Sequence, residues 1–102
     1  MLINQGVDIQ RLNKEIWRGL GIVGKIFRDN NEELVVKRTF KGYGGALSLR
    51  TGDDGFEMGY PIKLPDTVIR ILRRALGPDY DVVEKADHVH IEYNPEGSYK
   101  KR

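Results

Sequence analysis

Tyr80-Asp81-Val82-Val83-Glu84-Lys85-Ala86-Asp87-His88-Val89-His90-Ile91-Glu92-Tyr93 is the stretch whose reading decides the fold. Two runs rich in β-branched and aromatic residues, 80–84 and 88–93, flank a short turn at Lys85-Ala86, which predicts a β-hairpin. The second run holds both histidines of the chain, with Asp87 before them and Glu92 after them. Side chains alternate along an ideal strand, so His88, His90 and Glu92 share one face. Two imidazoles and a carboxylate are a ligand set zinc accepts. The same pattern also arises from one functional and one incidental histidine, so the spacing alone leaves both readings open. The apolar residues of this run also suit pairing at a sheet edge.

Upstream of the hairpin, Pro65 and Asp66 open a helix whose apolar side is Val68, Ile69, Leu72 and Leu76. Arg70, Arg73 and Arg74 point largely the other way, as charges on an exposed helix face usually do, although a partner site is the alternative. Gly77-Pro78 stops this helix. Residues 51–60 read as a solvated loop; its Asp53, Asp54 and Glu57 lack the spacing of a calcium loop. Ala46 to Arg50 alternates like a strand, and the glycine-dense 39–45 reads as a loop. A phosphate-cradling loop needs its glycines to lead into a helix, and these lead into a strand.

Residues 33–38 form another expected strand, entered from a turn. Before it, Asp8 acts as N-cap to a helix over residues 9 to 29, with Leu12, Ile16, Leu20, Val23 and Phe27 recurring at helical spacing. Trp17 and Ile26 widen that face, and Asp29-Asn30-Asn31 ends it. Gly19, Gly21 and Gly24 each weaken the helix by roughly 1 kcal/mol relative to alanine. They point either to close packing against another element, to a break near Gly21, or simply to a strained helix.

The element order predicts one α+β domain over residues 1–97. It has a small, mainly antiparallel sheet of about four strands with two main helices packed on it, followed by a flexible basic tail, 98–102. The composition agrees: 102 residues, 39% hydrophobic and 31% charged, suit one small globular domain. The chain has no cysteine, which excludes disulfides and Cys-based zinc sites. No apolar run approaches the roughly 20 residues that span a membrane, and Met1 to Asp8 does not read as a signal peptide. A net charge of +2, much of it in Lys100-Lys101-Arg102, is too weak and local to indicate a nucleic-acid partner.

Several segments occur in an order that carries a resemblance. They are Gly6-Val7-Asp8-Ile9 with Leu12, the first helix, Ala46 to Thr51, Ala75 to Val83 and Asp87 to Glu92. Over about residues 6 to 95, most specifically Ala75 to Glu92, the chain resembles the small zinc D-alanyl-D-alanine carboxypeptidase-like proteins. That fold is shared with hedgehog signalling domains. The chain is especially similar to short versions found in phage genomes, including phages with small single-stranded DNA genomes.

In that family an S-x-H-x-x-G-x-A-x-D motif supplies a His and an Asp to the zinc. A later E/D-x-x-H motif supplies the second His, and its acidic residue is the general base. Such a zinc lowers the pKa of its bound water to about 7. The resemblance implies Asp87 as the base and His90 as the second histidine ligand, with Gly44 and Ala46 matching the glycine and alanine of the first motif. The departures fall on the other two ligands: Lys41 stands in place of the histidine and Ser48 in place of the aspartate, while Thr39 replaces the motif's serine.

A lysine repels Zn²⁺ and a serine hydroxyl coordinates it weakly. The expectation is therefore a pseudoenzyme with no cofactor, its scaffold reused for binding. The partner classes are a host or phage protein, or peptidoglycan, with no nucleic acid and no membrane. The expected roles are host-factor inhibitor, wall-binding protein or virion-associated component, in the bacterial host cytoplasm or on the virion. The alternative is a working zinc peptidase acting on peptidoglycan, with ligands rearranged among His90, His88, Glu92 and the carboxylates of the 51–60 loop. A Ser-His-Asp triad through Ser48 lacks the sequence of a nucleophile elbow.

Overall fold

The computed structural model describes residues 1–42 and 52–95. The first long helix, α1 (Lys14–Asp29), buries Ile16, Leu20, Val23 and Phe27 along one side. The helix expected from residue 9 starts later than that. Asp8 does accept a hydrogen bond from the Gln10 amide, but it caps a single 3₁₀ turn, Ile9–Arg11. The chain then extends so that Asp53 can pair with it: the Asn13 amide donates to the Asp53 carbonyl and the Asp53 amide to the Arg11 carbonyl. Local helix propensity gives way here to a long-range contact. Asn13 becomes the N-cap of α1.

Nothing breaks α1 at Gly21. Close packing instead accounts for Gly19, where a Cβ would stand 2.9 Å from the ring of Tyr80. Trp17 is half exposed rather than part of the buried face. At the end of α1 the Asn30 side chain donates to the Ile26 carbonyl, and Asn31 takes the left-handed conformation (φ 56°) that asparagine tolerates.

The second helix, α2 (Pro65–Leu76), runs as its sequence predicts and buries Val68, Ile69, Leu72 and Leu76. The carboxylate of Glu32 tethers its approach by accepting the backbone N–H groups of Ile62, Lys63 and Leu64.

The sheet has five strands in the order β1-β2-β3-β5-β4. These are β1 (Leu2–Ile3), β2 (Val35–Phe40), β3 (Gly55–Met58), β4 (Tyr80–Glu84) and β5 (Val89–Tyr93). β1 lies parallel to β2 and every other pairing is antiparallel, so the sheet is mixed. The hairpin forms as expected, with Val82 opposite Ile91. β5 is nonetheless interior, and the edge falls to β4.

The central strand β3 lies within the segment expected to be a loop. Its register, Phe56 opposite Ile91 and Met58 opposite Val89, places it between β2 and β5. Asp53 and Asp54, expected in solvent, are buried. Thr39 donates its hydroxyl to Asp53 and the Asn13 side chain donates to Oδ1 of Asp54, so each carboxylate takes at least one of the hydrogen bonds that burial demands. The strand expected at 46–50 and the tail 98–102 lie outside the described residues.

Val36, Phe56, Met58, Val89 and Ile91 form a single buried cluster with the apolar sides of α1 and α2. Each such side chain contributes about 1.5–3 kcal/mol through removal from water. Alternation then dictates what the other face of the sheet carries: Arg38, Phe40, Glu57, His90 and Glu92.

Candidate functional site

Three strands, β2, β3 and β5, and the β4–β5 turn build a cleft on this second face. It has a volume of about 390 Å³ and is lined by Arg38, Phe40, Lys41, Gly42, Glu57, Lys85, His88 and His90. Phe40 sits opposite Gly55 in the β2–β3 ladder, and its ring occupies the space a Cβ on Gly55 would need. The same ring packs on the His90 imidazole, centroids 4.4 Å apart. The guanidinium of Arg38 stands over its outer side at 5.8 Å.

Glu57 lies directly across from His90 in the β3–β5 ladder. It reaches two cations or potential cations: Arg38 Nε at 2.7 Å and His88 Nε2 at 3.6 Å. The other ring nitrogen of His88, Nδ1, is 2.7 Å from the Asp87 carboxylate. His90 Nε2 is 3.0 Å from Glu92, whose side chain is almost wholly buried. Each imidazole therefore lies against a carboxylate of its own.

Asp87, by contrast, is in solvent at the turn, its side chain 83% exposed. The hydrogen bond to His88 holds its carboxyl below the usual carboxylate value of 3.8, against an upward push from desolvation. The charges of His88 and Lys37 act in the same downward direction. Lys37 also donates to the Asp87 backbone carbonyl, fixing the turn.

The structure thus brings His88, His90 and Glu92 onto one side of β5 with Lys41 among the cleft's lining residues, and leaves Asp87 exposed at the turn. Ser48, Gly44 and Ala46 lie outside the described residues. Among the described residues no three His, Asp or Glu side chains are arranged to hold a metal ion. The donors that are described pair off instead of converging, and a lysine ammonium shares their cleft, so they do not fit a catalytic zinc.

Sequence reasoning missed Arg38 and Phe40, and it placed Glu57 on a loop. A signal was present: F-E-M between two glycines alternates, and Glu57 falls on the same side of its strand as His90 does on β5. No family model matches the chain, and no curated protein or solved structure matches it either. No helix among the described residues is long and apolar enough to cross a membrane.

Proposed function

We propose that the chain is a non-catalytic relative of phage zinc DD-peptidases whose cleft has been reused to bind another protein or peptidoglycan. One observation carries this reading: the imidazoles of His88 and His90 are engaged with Asp87 and Glu92, while Lys41 lines the same cleft. A ligand meets exposed cations at Lys41 and Lys85, an apolar floor at Phe40, and the Arg38–Glu57 pair. Such a surface suits an anionic group carried on an apolar body. The roles that follow are inhibition of a host factor, attachment to the wall or association with the virion.

A second reading stands on the same face. His88, Glu57, His90 and Glu92 all project from it, and a zinc-dependent peptidoglycan peptidase would need three of them to turn toward a common point, with Asp87 as base. Elemental mass spectrometry of the untagged protein, before and after equimolar zinc, separates the two. The binding reading expects zinc well below one per chain and a melting temperature indifferent to chelator. Near one zinc per chain with cleavage of purified peptidoglycan overturns it. Co-sedimentation with purified sacculi then tests the wall arm: Lys41→Glu is expected to weaken binding if the cleft is the contact.

A further inference from the structure

The sheet ends at β4, whose outer edge is paired with no strand among the described residues. The Lys85 amide donates to the His88 carbonyl and the Tyr93 amide turns away to the Asp54 carbonyl. Antiparallel alternation from these anchors directs the backbone N–H groups of Val82 and Glu84 outward, along with the Val82 carbonyl. α2 packs beside this strand and runs antiparallel to it. Its Arg74 and Gly77 lie near Tyr80, and its Ile69 and Arg70 near Glu84. Between helix and strand runs a groove of about 430 Å³, lined by Arg73, Arg74, Gly77, Pro78, Tyr80 and Val82.

One guanidinium already occupies the edge. Arg73 Nη2 donates to the Val82 carbonyl at 2.9 Å, where a neighbouring strand would place its N–H, and Nη1 lies 3.4 Å from Glu84. The two arginines beside it, Arg70 and Arg74, are exposed and make no ion pair among the described residues. Their one-turn spacing along the helix is about 6 Å. That is close to the two-residue repeat of a strand, about 6.6 Å.

We infer that this groove takes an extended, acidic segment of a partner protein, added to β4 as a sixth strand. The incoming backbone pairs with the outward groups of Val82 and Glu84. Arg73 leaves the Val82 carbonyl, and alternate carboxylates of the segment meet Arg70, Arg73 and Arg74. A second copy of this chain is the poorer occupant. Pairing β4 with itself about a two-fold axis normal to the sheet puts both helical layers on one side and sets the two arginine rows against each other. A nucleic acid offers no backbone donor or acceptor pattern for a strand edge. The inference does not depend on the cleft lined by Phe40 and His90.

The probe is a short capped peptide of alternating Glu and Val, titrated into the ¹⁵N-labelled full chain at low salt. The expected result is saturable shifts of the Val82 and Glu84 amide resonances, weakened about tenfold by Arg70→Glu with Arg74→Glu and by raised salt. Methylating alternate peptide nitrogens of the probe is expected to abolish them, because a strand added at the edge needs those donors. Absence of shifts at these two amides overturns the inference. So does equal binding by a control peptide in which Lys replaces each Glu, equal binding by the methylated peptide, or self-association of the free protein through β4.

Discussion

The two faces of β5 are built from alternate residues of one five-residue strand and obey different rules. Val89 and Ile91 are fully buried against α1 and α2, where what counts is apolar area and filled volume. His90 and Glu92 point the other way, are nearly as buried, and are held by particular partners: Phe40 stacks on His90 and Glu92 hydrogen-bonds it. The first face tolerates any apolar residue of similar shape. The second depends on geometry and charge, and there the burial of polar groups has to be compensated bond by bond. A cleft floor of the second kind is costly for a surface that does nothing but face solvent, and this supports assigning binding to it.

The largest expected effects test that division directly. Ile91→Ala opens a cavity beneath both helices and should destabilise the chain by about 2–5 kcal/mol, read as a lower urea midpoint with an unchanged slope. Glu92→Met keeps the length of the side chain but removes the carboxylate beside His90, and should cost about 1–3 kcal/mol. Ile91→Met, a volume-conserving exchange on the first face, should cost less than about 1.5 kcal/mol. If Ile91→Met proved more damaging than Glu92→Met, the faces would not differ as argued.

The contrast also explains what was legible in the sequence. Both helices, the hairpin and the apolar residues of β2 and β5 follow from periodicity, because any residue of the right class at the right spacing does the same work. The face of His90 was legible only in part. His88, His90 and Glu92 declared themselves by spacing within one strand. Glu57, Phe40 and Arg38 join them only through the register of β3 with β2 and β5, which no local pattern encodes. β3 itself was hidden by its composition: Gly55 and Gly59 and the acids before it are loop-forming residues, and Asp53 and Asp54 are buried where the side chains of Thr39 and Asn13 reach them. β1, with two residues, carries no periodicity to read.

A finer version of the same distinction lies within α1. Gly19 faces Tyr80, whose hydroxyl donates to the Glu15 carbonyl and whose ring packs on Tyr93. Gly21, two residues on, has nothing within 4 Å of the place its Cβ would occupy. Gly21→Ala should therefore stabilise the chain by roughly 1 kcal/mol through helix propensity alone. Gly19→Ala gains the same propensity and must displace the ring, a close-packed overfilling that costs about 1–3 kcal/mol. Thermal melts of the two variants should move in opposite directions. Equal gains would mean that Tyr80 gives way freely and that Gly19 has no packing role.

The smallest effect concerns Glu32, which carries neither core area nor a place in the cleft. Partial burial pushes its carboxyl up, but the N–H groups of Ile62, Leu64 and Lys63, with the Lys63 ammonium, outweigh this and leave it below the usual 4.5. A carboxyl lowered in the folded state contributes stability that is complete above its unfolded value and is lost as pH falls through the folded one. The native chain should lose part of its stability on acidification below 4.5 at this site, and Glu32→Gln should remove that part of the slope while leaving the slope at higher pH unchanged. Paired melts of the two proteins across that range read the difference. Parallel curves would mean that the three amides are held by the turn itself, and that the carboxylate merely accompanies the entry to α2 instead of fixing it.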